Sequence, residues 1–150
     1  MEQHDFKKYP ELTNRELSEM PFESPHKQIT EDFRAVVVKV HDGDTITLQT
    51  DFRDFDFPLR FANIDSPEMN AGGEIARDWL KEQILGEEVE IKINFQNRVG
   101  KYGRLLGIVQ SLGMDMGAAQ LRLGLAVPFG MKLQGEIPQI DKTFNIKKWL

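Results

Sequence analysis

The sequence contains no cysteine, which excludes a disulfide framework and any thiolate metal site. It has no apolar run near the roughly 18 residues of a membrane-spanning helix. It has no internal repeat and no low-complexity tract. It lacks the excess of positive charge that a broad DNA-coating surface needs, since the formal net charge is −5. Its first residues, Met1-Glu2-Gln3-His4-Asp5, are polar and acidic and do not read as a signal peptide. The expectation is a protein that is intracellular rather than secreted, with no membrane segment.

The negative charge is unevenly placed. Residues 1–33 hold eight acids against four bases, whereas the remaining chain holds 16 against 15. A nearly neutral body is compatible with a local anion site, because a bound cation turns such a site positive. With 150 residues, 40% of them hydrophobic and 29% charged, one domain with one core is expected.

Three parts emerge along the chain. Residues 1–33 read as an arm with Pro10, Pro21 and Pro25 and little periodicity. Residues 34–130 read as the folded domain, and residues 131–150 as a tail. In the domain, strands are predicted over 35–40, 45–50, 55–61, 88–93 and 104–110, from β-branched content and alternation. Gly73 to Leu85 has a helical apolar face of Ile75, Ala76, Trp79, Leu80 and Ile84, with Gly86 as its C-terminal stop. Asp115 is placed to cap a short helix carrying Met116, Ala119 and Leu123. The fold class is therefore mainly β with α. It is a five-stranded OB-type Greek-key barrel with one helix between strands 3 and 4 and a short helix after strand 5.

Four polar fragments interrupt this apolar pattern: His41-Asp42-Gly43-Asp44-Thr45, Leu59-Arg60-Phe61, Asp65-Ser66-Pro67-Glu68 and Lys101-Tyr102-Gly103-Arg104. Together they supply carboxylates and arginines, a set suited to holding a hard divalent cation against a phosphodiester. Each fragment has a plainer reading. Asp42-Gly43 is a hairpin-turn signal, in which Gly tolerates positive φ, and Asp65-Ser66-Pro67-Glu68 resembles a helix start. His41 reads as a strand-end surface residue, and Trp79 as core.

The four fragments, with Arg122-Leu123-Gly124-Leu125-Ala126, stand in an order and spacing that resemble the staphylococcal-nuclease-like (thermonuclease) family. The resemblance runs from about Val37 to Ala126. It implies an OB barrel that binds Ca²⁺ and cleaves the P–O5′ bond of DNA and RNA. It also implies roles residue by residue. Asp44 and Asp65 are the direct metal carboxylates, Ser66 contributes its backbone carbonyl, and Asp42 stands in the outer shell. Glu68 is the general base. Arg60 and Arg104 stabilise the charge of five-coordinate phosphorus. Lys101 and Tyr102 lie near the terminal phosphate of the nucleotide.

Departures from the family pattern are also visible. Beyond Ala126 the segment is Val127-Pro128-Phe129-Gly130, with no tyrosine hydroxyl, leaving Phe129 to stack on a base. Gly117 stands where a polar helix residue, commonly Asn, is expected. The arm has two open readings. It wraps its own barrel, or Phe6, Tyr9, Leu12, Leu17, Met20 and Phe22 anchor it on a partner within a larger assembly, such as a phage particle. Two functions accordingly stand side by side: a Ca²⁺-dependent endonuclease on DNA or RNA, and a nuclease-like OB module serving as a structural or binding subunit.

Overall fold

The computed structural model describes residues 11, 12, 14, 28–100 and 103–130. Strands β1 (Phe33–Asp42), β2 (Thr45–Thr50) and β3 (Arg53–Phe61) form a meander. A two-residue strand β4 (Ile64–Asp65) follows, and then helix α1 (Gly73–Ile84). Strands β5 (Glu88–Lys92), β6 (Leu105–Ser111) and β7 (Met114–Asp115) come next. Helix α2 (Met116–Arg122) and strand β8 (Val127–Pro128) complete the described chain.

The five long strands are those the alternation predicts, shifted by one to two residues at their ends. Their closure is not purely antiparallel. β1 pairs antiparallel with both β2 and β5, β2 with β3, and β5 with β6. Direction is then fixed by parity, so β6 runs the same way as β3. The barrel closes through a short parallel seam, Leu59↔Leu105, Arg60↔Leu106 and Phe61↔Gly107. This five-stranded closed barrel with two helices is the OB-type architecture.

Alternation fills the barrel. Ile46 and Leu48 of β2, Phe57, Leu59 and Phe61 of β3, Ile91 of β5 and Leu105 and Val109 of β6 are all fully buried. Helix α1 adds Ala76, Trp79, Leu80 and Ile84 to the same core, the spacing of one helical face. Each such side chain contributes about 1.5–3 kcal/mol by leaving water. Trp79 is thus a core residue, and His41 an exposed strand residue whose Nε2 lies 2.7 Å from Thr47 Oγ1. Gly86 takes φ +80 directly after the helix, the left-handed stop the sequence announces. Asp115 caps α2 as expected, its carboxylate accepting from Ala118 N at 2.9 Å.

The described part of the arm lies on its own barrel. Glu11, Leu12 and Ile29 are buried. Leu12, one of the proposed partner anchors, is therefore spent on its own domain. Phe6, Tyr9, Leu17, Met20 and Phe22 lie outside the described residues, as does the tail 131–150.

Two glycines separate packing from backbone conformation. A Cβ on Gly107, at the seam, would stand 2.7 Å from Ile91 Cγ2 and 3.3 Å from Lys92 O. A Cβ on Gly86 would meet nothing within 4 Å. Gly107→Ala is expected to cost about 1–3 kcal/mol through overpacking, and Gly86→Ala about 1 kcal/mol through positive φ alone. Urea melts of both variants check this. A Gly107→Ala protein as stable as the parent would mean the seam is loosely packed.

Candidate functional site

The site is assembled at one end of the seam. Asp42 pairs with Thr45 across the β1–β2 hairpin, leaving Gly43 and Asp44 as the turn. Asp42 Oδ1 accepts from Asp44 N at 2.9 Å, the local bond that makes Asp a turn former. Gly43 is needed for a reason other than positive φ, which it does not adopt. A Cβ there would lie 2.6 Å from Ser66 Oγ, 2.8 Å from Gln120 Oε1 and 3.0 Å from Ala76 Cβ. The turn is pressed onto the β4 segment and both helices, with no space for a side chain.

Asp44 ties three elements together. Its carboxylate accepts from Ser66 N at 2.8 Å and from Thr45 Oγ1 at 3.0 Å, and its carbonyl accepts from Phe61 N at 2.8 Å. Asp65 faces it from β4 and accepts from Gly130 N at 2.8 Å. Between them stands Arg60. Its Nη2 donates to Asp65 Oδ1 and lies 3.3 Å from Asp44 Oδ2. Its Nη1 donates to the carbonyls of Phe61 and Ile64, both at 2.7 Å. The planar fork of Arg satisfies all four acceptors at once, which an ammonium cannot do in that arrangement.

The pairing of β4 with β8 brings in the last component. Asp65 sits opposite Val127, so the chain that follows crosses above Arg60. The Phe129 ring centre lies 5.3 Å from the Arg60 guanidinium carbon. Phe129 is 55% exposed, so a broad aromatic face remains open to solvent beside the cluster.

Electrostatically the cluster is short of positive charge. Two carboxylates, those of Asp44 and Asp65, hold the single guanidinium of Arg60, and a third, Asp42, adjoins Asp44. Burial raises the Asp44 carboxyl above its ordinary range, and the hydrogen bond and charge of Asp42 push the same way. Arg60 and the Ser66 amide only partly oppose this. Among the described residues no three Asp, Glu, His or Cys side chains converge as a ready metal cage. Asp44 and Asp65 converge on a cation nonetheless, and that cation is the side chain of Arg60. All the donors are hard oxygens, and the surplus of negative charge is what a divalent ion would offset. The residues present therefore fit such an ion.

The remaining candidates are placed less tightly. Glu68 is exposed and starts the 3₁₀ turn Met69–Ala71 without capping it by side chain, while its carbonyl accepts from Ala71 N and Gly73 N. Asp65-Ser66-Pro67-Glu68 thus leads into a 3₁₀ turn and not directly into the α-helix. The α-helix begins only at Gly73, because Pro67 and Glu68 first turn the chain through the 3₁₀ segment. Arg104 is exposed and sits two residues before Leu106, the strand partner of Arg60. Lys101 and Tyr102 lie outside the described residues.

Two supporting residues escape a motif search. Gln120 is fully buried and donates from Nε2 to Gly43 O at 2.7 Å, pinning the Asp42–Asp44 turn to α2. A glutamine on an otherwise apolar helix face was the available signal. Asn63 donates to the Asp115 carboxylate at 3.2 Å. A Cβ on Gly117 would fall 2.3 Å from Asn63 Oδ1. The space beside position 117 is thus filled by the Asn63 side chain from the β3–β4 connection.

Comparison with known proteins bears on the family of the chain. The profile of the family described as staphylococcal nuclease homologue matches residues 58–144, more than half of the chain. The micrococcal nuclease of Shigella flexneri is 38% identical over 79 residues, covering 52% of this chain and 42% of that relative. The match thus spans less than half of the relative's length. Barrel and profile agree, and the chain belongs to the family of staphylococcal nuclease homologues.

Proposed function

We propose that this protein is a divalent-metal-dependent endonuclease that hydrolyses phosphodiester bonds of DNA or RNA, with Ca²⁺ as the ion. The observation that carries the reading is Arg60 held between Asp44 and Asp65 in a cluster with surplus negative charge. That is a phosphate-binding fork set directly against a cation-binding pair.

The residues divide the work as follows. Asp44 and Asp65 would hold the ion, with Ser66 beside them and Asp42 in the outer shell. When bound, the ion offers Lewis acidity to a phosphate oxygen. Arg60, with Nη1 held by its two carbonyls, would offer Nη2 to an equatorial phosphate oxygen. Arg104, just before the opposite strand of the seam, would approach the same phosphate from its exposed position. Glu68 takes a proton from the attacking water as the new O–P bond forms and the P–O5′ bond breaks. The leaving 5′-oxygen is protonated by solvent. Phe129, with Lys101 and Tyr102, would receive the nucleotide beyond the scissile bond.

The direct test is cleavage of single-stranded DNA and RNA by purified protein with Ca²⁺, with Mg²⁺ and with chelator. Cleavage that needs Ca²⁺ and stops in chelator is expected. Equal cleavage in chelator, or none with any metal, overturns the reading. Binding without cleavage would instead support an OB module acting as a binding subunit.

Two further outcomes follow from the geometry. Arg60→Ala or Arg104→Ala should lower kcat by roughly 10²-fold or more, the usual loss on deleting a charge-stabilising donor. Arg60→Lys should rescue poorly, because one ammonium cannot serve four acceptors in a plane. Steady-state kinetics on a defined oligonucleotide decide the point, and near-full activity in Arg60→Lys contradicts it.

The raised Asp44 carboxyl gives a pH dependence with a definite sign. Its folded-state pKa lies above the unfolded value, so its contribution to metal-free stability is present at low pH. That contribution is lost as pH rises through the folded pKa. Ca²⁺ needs the ionised form, so affinity should fall as pH drops through that raised value, above the ordinary aspartate value of about 4. Asp44→Asn should melt no lower than the parent without metal and gain nothing from added Ca²⁺. Calorimetric titrations and melting curves across pH are the measurement. A variant that is still stabilised by Ca²⁺ removes Asp44 from the ligand set.

A further inference from the structure

Away from the site, a second buried ion-pair cluster ties the N-terminal arm to the barrel. Glu11 is 0% exposed and Arg98 1%. The Glu11 carboxylate lies 2.6 Å from Arg53 Nη2 and 3.2 Å from Arg98 Nη1, and it accepts from Ile29 N at 3.0 Å. Arg98 spends its remaining donors on the arm as well. Nη1 donates to Ile29 O at 2.8 Å, Nη2 to Leu12 O, and Nε to Asn14 Oδ1 at 2.8 Å. Asn14 in turn donates to Phe95 O at 2.8 Å.

Arg98 is also the foot of the loop that carries Arg104. Its own carbonyl accepts from Leu106 N at 2.9 Å, Val99 bridges Leu105, and Gly100 N donates to Arg104 O at 2.8 Å. The arm touches the far side of that loop too, since Glu11 N donates to Gly103 O at 3.4 Å. Glu11 therefore grips the 98–104 loop at both limbs. It holds Arg98 by side chain and Gly103 by backbone, one residue before Arg104. Gly103 at φ +81 is a conformationally free joint that such a grip would steady.

We propose that Glu11 is a positioning residue. Locked between Arg53 and Arg98, it sets the 98–104 loop and so aims Arg104 at the phosphate. The arm is thereby a working part of the site. For its kinetic consequence this rests on the cleavage reading above, while the structural consequence stands independently.

Glu11→Gln in the full-length chain is the test, because it keeps the shape and removes the charge. Amide hydrogen exchange is read over residues 99–106, together with kcat and KM on a single-stranded oligonucleotide. Exchange over 99–106 should accelerate at least tenfold. kcat should fall by roughly 10-fold or more with KM within about twofold, since aim matters most in the transition state. In an Arg104→Ala background the same substitution should cost little more, because the two act through one group. Glu11→Asp should restore part of kcat if its shorter carboxylate still reaches one guanidinium.

Unchanged exchange over 99–106 overturns the proposal, and so does a full multiplicative loss on top of Arg104→Ala. If Glu11→Gln does not fold, Asn14→Ala, which cuts only the outer strut, is read in the same way. If the parent protein does not cleave, the cleavage reading fails, and exchange over 99–106 alone decides whether the arm sets the loop.

Discussion

A guanidinium held between two largely buried aspartates is the interaction on which this site depends. Arg60 lies on the closing seam, Asp44 in a hairpin turn and Asp65 on a two-residue strand, and the guanidinium is what joins the two acids. Taking away the positive partner leaves two carboxylates facing each other out of water, an arrangement that is unstable without a replacement cation. The same tension makes the turn, the seam and the β4–β8 pair one mechanical unit. Gly43 has no room to move, and Gln120 and Ser66 hold it from two sides.

The two buried ion clusters resolve the same problem with opposite signs. Around Arg60 the acids outnumber the base, and the deficit faces solvent, where an ion can enter. Around Glu11 the bases outnumber the acid, and Arg98 settles its surplus internally by donating to backbone carbonyls of the arm. An unpaired excess at the surface invites a ligand. An excess already satisfied by fixed dipoles makes a clamp. Sign and accessibility together separate a site from a strut on this barrel.

Much of this was legible in the sequence. Alternation located the five long strands, because one face of each is buried and the pattern must have period two. Helical spacing located α1, and Asp115 announced α2. The site fragments stood out because charged residues rarely interrupt strands without cause. Other features were hidden for physical reasons. The parallel seam is a pairing between residues some 45 positions apart and leaves no local mark. Gly43 looked like a conformational glycine and is a steric one, a distinction only the packed neighbours reveal. Glu11 sat in an acidic, unpatterned stretch, so its burial opposite Arg53 and Arg98 had no sequence signal. Asn63 packs against Gly117 across the fold, a fit that a reading residue by residue does not find.

The parallel seam has a consequence for when, as well as where, the protein functions. Arg60 and the turn that carries Asp44 are synthesised long before residues 105–107 and before strand β8, which pairs with the Asp65 segment. Until those later strands arrive, the barrel is an open sheet, and the acids and the arginine are separate surface charges on a flexible chain. Closure is therefore the step that creates the centre. A growing chain carries Asp44, Arg60 and Asp65 before it carries the strand that closes the barrel around them, so the charged cluster is a product of the last folding contacts and not of the segment that encodes it.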